Sequence, residues 1–418
     1  MKNNKRIGEK IMAEKMNPMK MMKQKVDMGK YVMSGKPWSE VKFFEQIMMD
    51  ALMKHVFGLT QYGMTDFGEI MDTIGHMKSD DEEGWVEAWS NRGDKLKKKA
   101  EEAEARGKMI SAGQEYLRAS SYYRISLMYF SMPEDPRMKE FTLKSQACYE
   151  KYLKLSNYPG EYVEIPYENT YLPGHFYRSP VAGEKAPLMI ITPGRDTWAE
   201  DTVWVYDMAL KRGIHCLVFD GPGQGFALRL QGLPFRPDWE NVVTPAVDFA
   251  INIPGVDVER IGIMGISFGG FLAPRAVAYE KRIKLCITDP GNMDWGGAIA
   301  ENLGKIEKMP KMMIPQSLHT MVADYAWKQG VENSVKAVVE ELQKYNNTNI
   351  IEKITCKMLV MDGTAEVSFG EAEKLYKALK CPKEYMLFDN ETTAQNHCQM
   401  GGYSIASETL LDWIEENL

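Results

Sequence analysis

The segment Gly265-Ile266-Ser267-Phe268-Gly269 constrains this chain more than any other. It follows the apolar run Ile261–Met264 and leads through Gly270 into Phe271-Leu272-Ala273-Pro274-Arg275-Ala276. A serine between glycines, after a buried strand and ahead of a helix, reads as a sharp strand–turn–helix unit, a nucleophile elbow. The turn strains the serine backbone, and the glycines let strand and helix approach closely. Ser267 then stands at a helix N-terminus, where the backbone N–H of Phe268 can help hold an oxyanion. The bland alternative, a glycine-rich turn with a solvated serine, accounts for neither the flanking pattern nor the partners downstream.

A strand of this kind needs parallel neighbours, and the chain supplies them. After Asn157-Tyr158-Pro159-Gly160, short β-rich runs alternate with helical stretches. The runs are Tyr162–Pro166, Tyr171–Tyr177, Leu188–Thr192, Cys216–Asp220, Ile261–Met264, Leu285–Asp289, Met358–Met361 and Tyr385–Phe388. Apolar runs ahead of turn residues suit strands buried on both faces, and the alternation predicts a mostly parallel α/β sheet. Residues 291–351 carry a helical pattern without a strand signal, which predicts a helical lid inserted between two core strands. The catalytic domain is therefore expected over 159–418.

Residues 1–158 read as a separate helical, cap-like domain. Ser79-Asp80-Asp81-Glu82-Glu83 offers a cap and acids for a helix start. Trp85 and Trp89 share a face of that helix, which Gly107 stops. A second helix is predicted from about Met109 to Phe130 and a third from about Arg137 to Leu155. Methionines crowd the early chain (Met19, Met21, Met22, Met48, Met49, Met53) and suit either irregular packing or a substrate channel. The lysines Lys2, Lys5, Lys10, Lys15, Lys20 and Lys23 are interrupted by acids and read as a solvated helix face.

Composition narrows the function class. The 418 residues carry 51 Lys+Arg against 58 Asp+Glu, a formal charge of −7. That balance gives no basic excess to attract nucleic acid. No apolar run approaches the roughly 18–20 residues of a membrane helix. The six cysteines, Cys148, Cys216, Cys286, Cys356, Cys381 and Cys398, form no CxxC and no zinc-spaced cluster. The first thirty residues lack the apolar core of a secretory signal. A reduced, cytoplasmic protein without metal or cofactor is expected, with no nucleic-acid or membrane partner.

A serine nucleophile needs a base and an acid that holds the base's tautomer. His397 follows the last predicted strand and precedes the C-terminal helix Ser404–Asn417, so it can reach across the top of the sheet. His55, His76, His175, His215 and His319 suit structural roles, although His319 lies in the lid and could line a pocket. For the acid, the strand run 357–361 is followed by Asp362-Gly363-Thr364-Ala365-Glu366. Glu366 lies three residues past the glycine, and Asp362 is its rival at the strand end. The second oxyanion donor is expected from the turn Pro193-Gly194-Arg195-Asp196-Thr197-Trp198, at the backbone N–H of Arg195. The Arg195 and Asp196 side chains suit either substrate binding or a structural pair. Asp220-Gly221-Pro222-Gly223-Gln224-Gly225 lacks phosphate-loop spacing and reads as a tight turn beside the site.

These segments carry a resemblance. The chain resembles α/β-hydrolases with an N-terminal helical domain, a group that includes 2,6-dihydroxypseudooxynicotine hydrolase, fungal polyketide chain-shortening hydrolases and FrsA-like esterases. Phe219–Gly225, Gly232-Leu233-Pro234-Phe235-Arg236-Pro237-Asp238-Trp239-Glu240, the elbow and His397-Cys398-Gln399 carry it. Trp85, Trp89, Tyr116–Ser120 and Tyr122-Tyr123-Arg124 extend it to about residues 80–418. The resemblance implies a triad of Ser267, His397 and Glu366, a substrate gorge between helical domain and core, and a homodimer. The chain departs from the group's usual Asp at Glu366, and from its usual Gly-Gly at Thr192-Pro193-Gly194-Arg195-Asp196.

The expected reaction is hydrolysis of a carboxylic ester or related acyl compound through an acyl-enzyme. C–C bond hydrolysis of a β-diketone or aryl ketone is the alternative, since the same triad serves it. A non-catalytic binding protein of the same fold is a third possibility. The substrate is expected to be a small acyl or ketone compound with an apolar or aromatic part. Asp196, Trp198, Trp295 and His319 are its candidate pocket residues, with Trp327, Tyr122 and Tyr123 as further apolar walls.

Overall fold

The computed structural model describes residues 38–79, 81–307 and 316–418. The chain divides into residues 1–43 and 44–418. Of the first unit, the short turn Trp38–Glu40 is described. The lysines of residues 2–23, Met19, Met21, Met22 and Asp80 lie outside the described residues.

The second unit begins with five helices: α1 (Ile47–Gly58), α2 (Phe67–Ile74), α3 (Glu82–Ala105), α4 (Met109–Met128) and α5 (Pro136–Leu155). Asp81 caps α3 by accepting from the Gly84 N–H at 2.9 Å, which satisfies one orphan donor of the first turn. Asp135 caps α5 in the same way through the Arg137 N–H at 2.9 Å. Trp85 and Trp89 lie on one face of α3 with ring centroids 5.7 Å apart. Helix α4 runs between α3 and α5, so both its sides need apolar cover. Tyr122 stacks on Trp89 at 5.5 Å and Tyr123 on Phe141 at 5.9 Å. Both tyrosines are fully buried among these helices, which removes them from the pocket walls expected above. Met49 and Met53 are likewise buried core residues, while Met48 is exposed. The buried methionines therefore serve packing.

The first strand starts at Gly160, directly after the helical stretch. Strands β1 (Gly160–Tyr167), β2 (Thr170–Tyr177), β3 (Ala186–Thr192), β4 (His215–Phe219), β5 (Val256–Ile266), β6 (Leu285–Asp289), β7 (Lys357–Gly363) and β8 (Lys383–Phe388) form one eight-stranded sheet. Its order is β1-β2-β4-β3-β5-β6-β7-β8. The β1–β2 and β2–β4 pairs are antiparallel, and every later pair is parallel. Each of the eight runs expected from the sequence is a strand. The parallel strands carry continuous aliphatic runs because helices cover both faces. Ile190, Leu217, Ile263, Ile287 and Val360 have no exposed surface, and burying each such side chain is worth roughly 1.5–3 kcal/mol.

The helices between strands are α6 (Val203–Lys211), α7 (Gly225–Gln231), α8 (Glu240–Ala250), α9 (Gly269–Val277) and, after the insertion, α13 (Glu371–Ala378); α14 (Tyr403–Asn417) follows the last strand. Between β6 and β7 lie α10 (Trp295–Glu307), α11 (Gln316–Gln329) and α12 (Val335–Leu342). These three bury a small core of their own, built on Ala300, Leu303, Val322, Ala326, Val338 and Leu342. The insertion is pinned to the elbow helix where the Asn347 side-chain amide donates to Phe271 O at 2.9 Å. Among the described residues no helix is long and apolar enough to cross a membrane.

Candidate active site

The parallel strands all point their C-terminal ends to one side, where the connecting loops cluster. β5 delivers Ser267 there, β3 delivers Gly194 and Arg195, β6 ends at Asp289, β7 leads to Glu366, and β8 leads to His397. Ser267 has φ = 58°, a left-handed backbone rare outside glycine. Its N–H donates to Asp289 O at 2.5 Å, a bond that helps hold the strained turn. A Cβ at Gly265 would fall 1.9 Å from Gly269 O, so only glycine lets β5 and α9 meet this closely.

Ser267 Oγ lies 2.9 Å from His397 Nε2. On the other side of the ring, His397 Nδ1 lies 2.7 Å from Glu366 Oε2. An ionised carboxylate can only accept, so Nδ1 carries the proton and Nε2 is left to accept from the serine hydroxyl. Asp362 is directed elsewhere: it accepts from Tyr385 Oη at 2.9 Å and from the Gly363 N–H at 2.9 Å. Of the two acids weighed from sequence, Glu366 is the one brought to His397.

The electrostatics follow the same division. Burial alone would raise the Glu366 carboxyl, but His397 and the N–H groups of Ser368 and Val367 outweigh it and hold it low. Burial raises Asp362, which Tyr385 and Gly363 only partly offset. For His397, burial opposes the imidazolium while Cys398 and Glu366 favour it, and the balance lies well above the ordinary value. The Cys398 thiol is itself pushed up to about 12 by burial. It is therefore uncharged near neutral pH, and the support that counts there is the Glu366 carboxylate. A third of the His397 side chain remains exposed (33%), which softens the burial effect.

Phe268 is buried, and its ring lies 3.9 Å, centroid to centroid, from that of Trp295 in α10. Trp295 thus couples lid to elbow. Gly194 packs against Ser267: a Cβ there would fall 2.7 Å from Ser267 Cβ and 3.1 Å from its Oγ. The Gln224 side-chain amide braces this loop by donating to Pro193 O at 2.6 Å, while its Oε1 accepts from the Gly221 N–H at 2.9 Å. The Arg195 side chain turns to the lid and pairs with Asp324 of α11. Lys328 bridges the loop and the same helix, meeting Asp196 at 2.5 Å and Asp324 at 2.9 Å.

Two expected pocket residues lie elsewhere. Trp198 has no exposed surface; its ring packs edge-on to Phe226 at 5.1 Å and under Arg229 at 4.7 Å. His319 is exposed on α11, and among the described residues no contact joins it to the serine. Trp327 lies beside Arg229, 5.8 Å from its guanidinium carbon. Sequence reasoning passed over Gln224, Asp324, Lys328 and Asp289. Asp289 alone had a readable signal, since Leu285–Asp289 followed by Pro290-Gly291 repeats the strand-end acid of Asp362-Gly363. Among the described residues no group of three or more His, Cys, Asp or Glu side chains is placed to hold a metal ion.

The sheet order, the crossovers and the elbow define an α/β-hydrolase. The sequence model of the family described as "Esterase FrsA-like" matches residues 62–346, and the chain belongs to that family. Hydrolase LUC6 of Fusarium sp is 36% identical over 252 residues, 57% of this chain and 59% of that protein. The 20-hydroxy-prefusarin hydrolase FUS2 of Gibberella moniliformis is 35% identical over 253 residues, with the same shares of the two chains. The chain thus spans less than two thirds of either relative. Hydrolase acrC of Aspergillus aculeatus is 27% identical across 90% of this chain and 97% of its own length. Among solved structures, 2,6-dihydroxy-pseudo-oxynicotine hydrolase superposes with a TM-score of 0.69 at 18% identity, covering 86% of this chain and 95% of that one. That likeness bears on the fold.

Proposed function

We propose that the enzyme hydrolyses a carboxylic ester or related acyl compound through a covalent acyl-serine. His397 Nε2 takes the Ser267 proton as Oγ attacks the carbonyl carbon, and Glu366 steadies the imidazolium that forms. The N–H groups of Phe268 and Arg195 receive the oxyanion of the tetrahedral intermediate. His397 then gives its proton to the leaving group. In the second half it activates water, which releases the acid and regenerates Ser267. The observation that carries this reading is the unbroken relay from Ser267 Oγ through both ring nitrogens of His397 to Glu366, at 2.9 and 2.7 Å.

The test is labelling with a fluorophosphonate, read by intact and peptide mass spectrometry. One adduct on Ser267, absent from Ser267→Ala, is the expected result. A folded enzyme that takes no adduct while other serine hydrolases in the same tube react would overturn the reading. The same three side chains would serve C–C hydrolysis of a β-diketone or aryl ketone. Cleavage of a diketone into two products without ester turnover would select that chemistry.

A further inference from the structure

One residue past Gly194, which packs against Ser267, stands a cation with two of its three guanidinium nitrogens unpaired among the described residues. Arg195 follows Gly194, the residue packed against Ser267, and its side chain is only 10% exposed. Its Nη1 pairs with Asp324 and lies 3.8 Å from Asp196 Oδ1. Its guanidinium carbon sits 4.1 Å from the centre of the Tyr325 ring. Nε and Nη2 are buried, and among the described residues neither has an acceptor. These two N–H groups share one edge of the planar guanidinium, the edge that matches the two oxygens of a carboxylate.

The nearby acids do not fill that edge. Asp324 already accepts from Lys328, from Arg195 Nη1 and from Ser131 Oγ at 2.7 Å. Asp196 accepts from Lys328 at 2.5 Å. The Tyr345 hydroxyl and the Gln329 amide are buried in the same quarter and lie close enough to interact with each other, with no further hydrogen-bond partner among the described residues. Tyr345 lies 5.5 Å from Phe268, centroid to centroid, and close enough to Arg195 to feel its charge. Gln329 follows Asp324 and Tyr325 on the lid helix. Buried polar groups are satisfied in the great majority of cases, and a cluster of exceptions beside a nucleophile points to a ligand.

We infer that the Nε/Nη2 edge of Arg195 is a substrate subsite, and that it takes a carboxylate borne by the acyl substrate at a distance from the scissile carbonyl. Tyr345 and Gln329 complete the subsite as neutral hydrogen-bonding groups. The inference rests on the hydrolase reading only for the direction in which the substrate lies. Arg195 is then the residue that distinguishes acidic from neutral acyl compounds.

The test uses monomethyl adipate and dimethyl adipate, which differ in one carboxylate. Binding to the full-length Ser267→Ala protein is measured by isothermal titration calorimetry. Monomethyl adipate is expected to bind at least about tenfold more tightly, as a charge-assisted pair implies. The preference should fall to about one when Arg195→Gln is added, and should drop sharply with Arg195→Lys, which keeps the charge and loses the two-donor edge. Asp324→Asn breaks the lid pair but leaves the edge, so the preference should survive. Equal binding of the two esters, or a preference that persists in Arg195→Gln, would overturn the inference, and the first comparison needs no change at Arg195. Turnover is followed separately on the unmodified enzyme by acid release. A preference without turnover, and without a fluorophosphonate adduct, would leave the subsite standing and remove the hydrolase reading.

Discussion

Gly194 and Ser267 occupy adjoining space: a methyl group on Gly194 would come within 2.7 Å of Ser267 Cβ and 3.2 Å of Ile266 O. None of these atoms belongs to a flexible side-chain end, so the loop or the elbow must shift. Gly194→Ala is therefore expected to lower kcat by roughly 100-fold, since displacements of about 1 Å at a nucleophile carry that order of loss. Steady-state kinetics and thermal melting check it together. Loss of activity with little change in melting temperature is the expected pair, because the strain is local. Unchanged kcat would show that the loop has slack.

The two strand-end acids make opposite predictions. Glu366 faces His397, whereas Asp362 is spent on Tyr385 and Gly363. Glu366→Gln should cost about 10³–10⁴ in kcat, the scale seen when a triad acid can no longer fix the tautomer. Asp362→Asn should cost little in kcat, its effect falling on stability. Full activity in Glu366→Gln would remove Glu366 from the mechanism.

As the proposed base, His397 must be neutral to act, and the Glu366 carboxylate 2.7 Å from its Nδ1 favours the imidazolium instead. The acid limb of the kcat/KM profile should therefore sit above pH 6.5, with activity rising toward alkaline pH. Glu366→Gln removes the negative charge that favours the imidazolium, so the limb should move to lower pH even as the maximum falls. A limb at or below 6.5 in the unmodified enzyme would contradict this electrostatic account.

Much of this arrangement was legible in the sequence because it rests on local signals. Ser267 announces itself through flanking glycines and a strand-to-helix switch. The central parallel strands β3, β5, β6 and β7 announce themselves as largely aliphatic runs before turn residues. His397 and Glu366 follow from their places after the last two strands. What stayed hidden depends on tertiary partners. Trp198 reads as a pocket aromatic at the end of the turn after β3, but Phe226 and Arg229 enclose it. Tyr122 and Tyr123 read the same way until α4 is seen to run between two helices. Asp324 and Lys328 meet Arg195 and Asp196 across more than 120 residues of chain, and no spacing rule reaches that far. The left-handed backbone of Cys398 and Gln399, beside His397, has no glycine to mark it.

Asp289 gives a stability prediction with a definite sign. It ends β6 with no exposed surface, and neither oxygen has a hydrogen-bond partner among the described residues, although Gln399 lies near enough to favour the ionised form. Burial dominates and raises its pKa from 3.8 to about 7. A raised carboxyl pKa means that the fold favours the neutral acid. Its contribution is intact below about pH 4, is lost as pH rises toward 7, and stays lost above that. Asp289→Asn removes the charge, so it should raise the melting temperature at pH 8 and change it little at pH 4. An equal shift at both pH values would place the effect in packing.

The buried pair Arg124–Asp201 ties α4 to the segment that follows the turn over 193–198. Both side chains are fully buried, with Arg124 Nε 3.0 Å from Asp201 Oδ1. Arg124 Nη1 also donates to Ser120 Oγ at 2.7 Å, and Asp201 Oδ2 accepts from the Trp198 N–H at 3.1 Å. Removing one partner leaves an uncompensated charge in the interior, whereas replacing both with apolar groups removes the desolvation cost as well. Asp201→Ala and Arg124→Met should each destabilise the enzyme by about 3–5 kcal/mol in urea unfolding. The combination Arg124→Met with Asp201→Leu should be far less damaging than the sum of the single changes. Its residual loss would be the Trp198 N–H bond, worth roughly 1 kcal/mol. Additive single and double effects would mean that the two charges do not depend on each other.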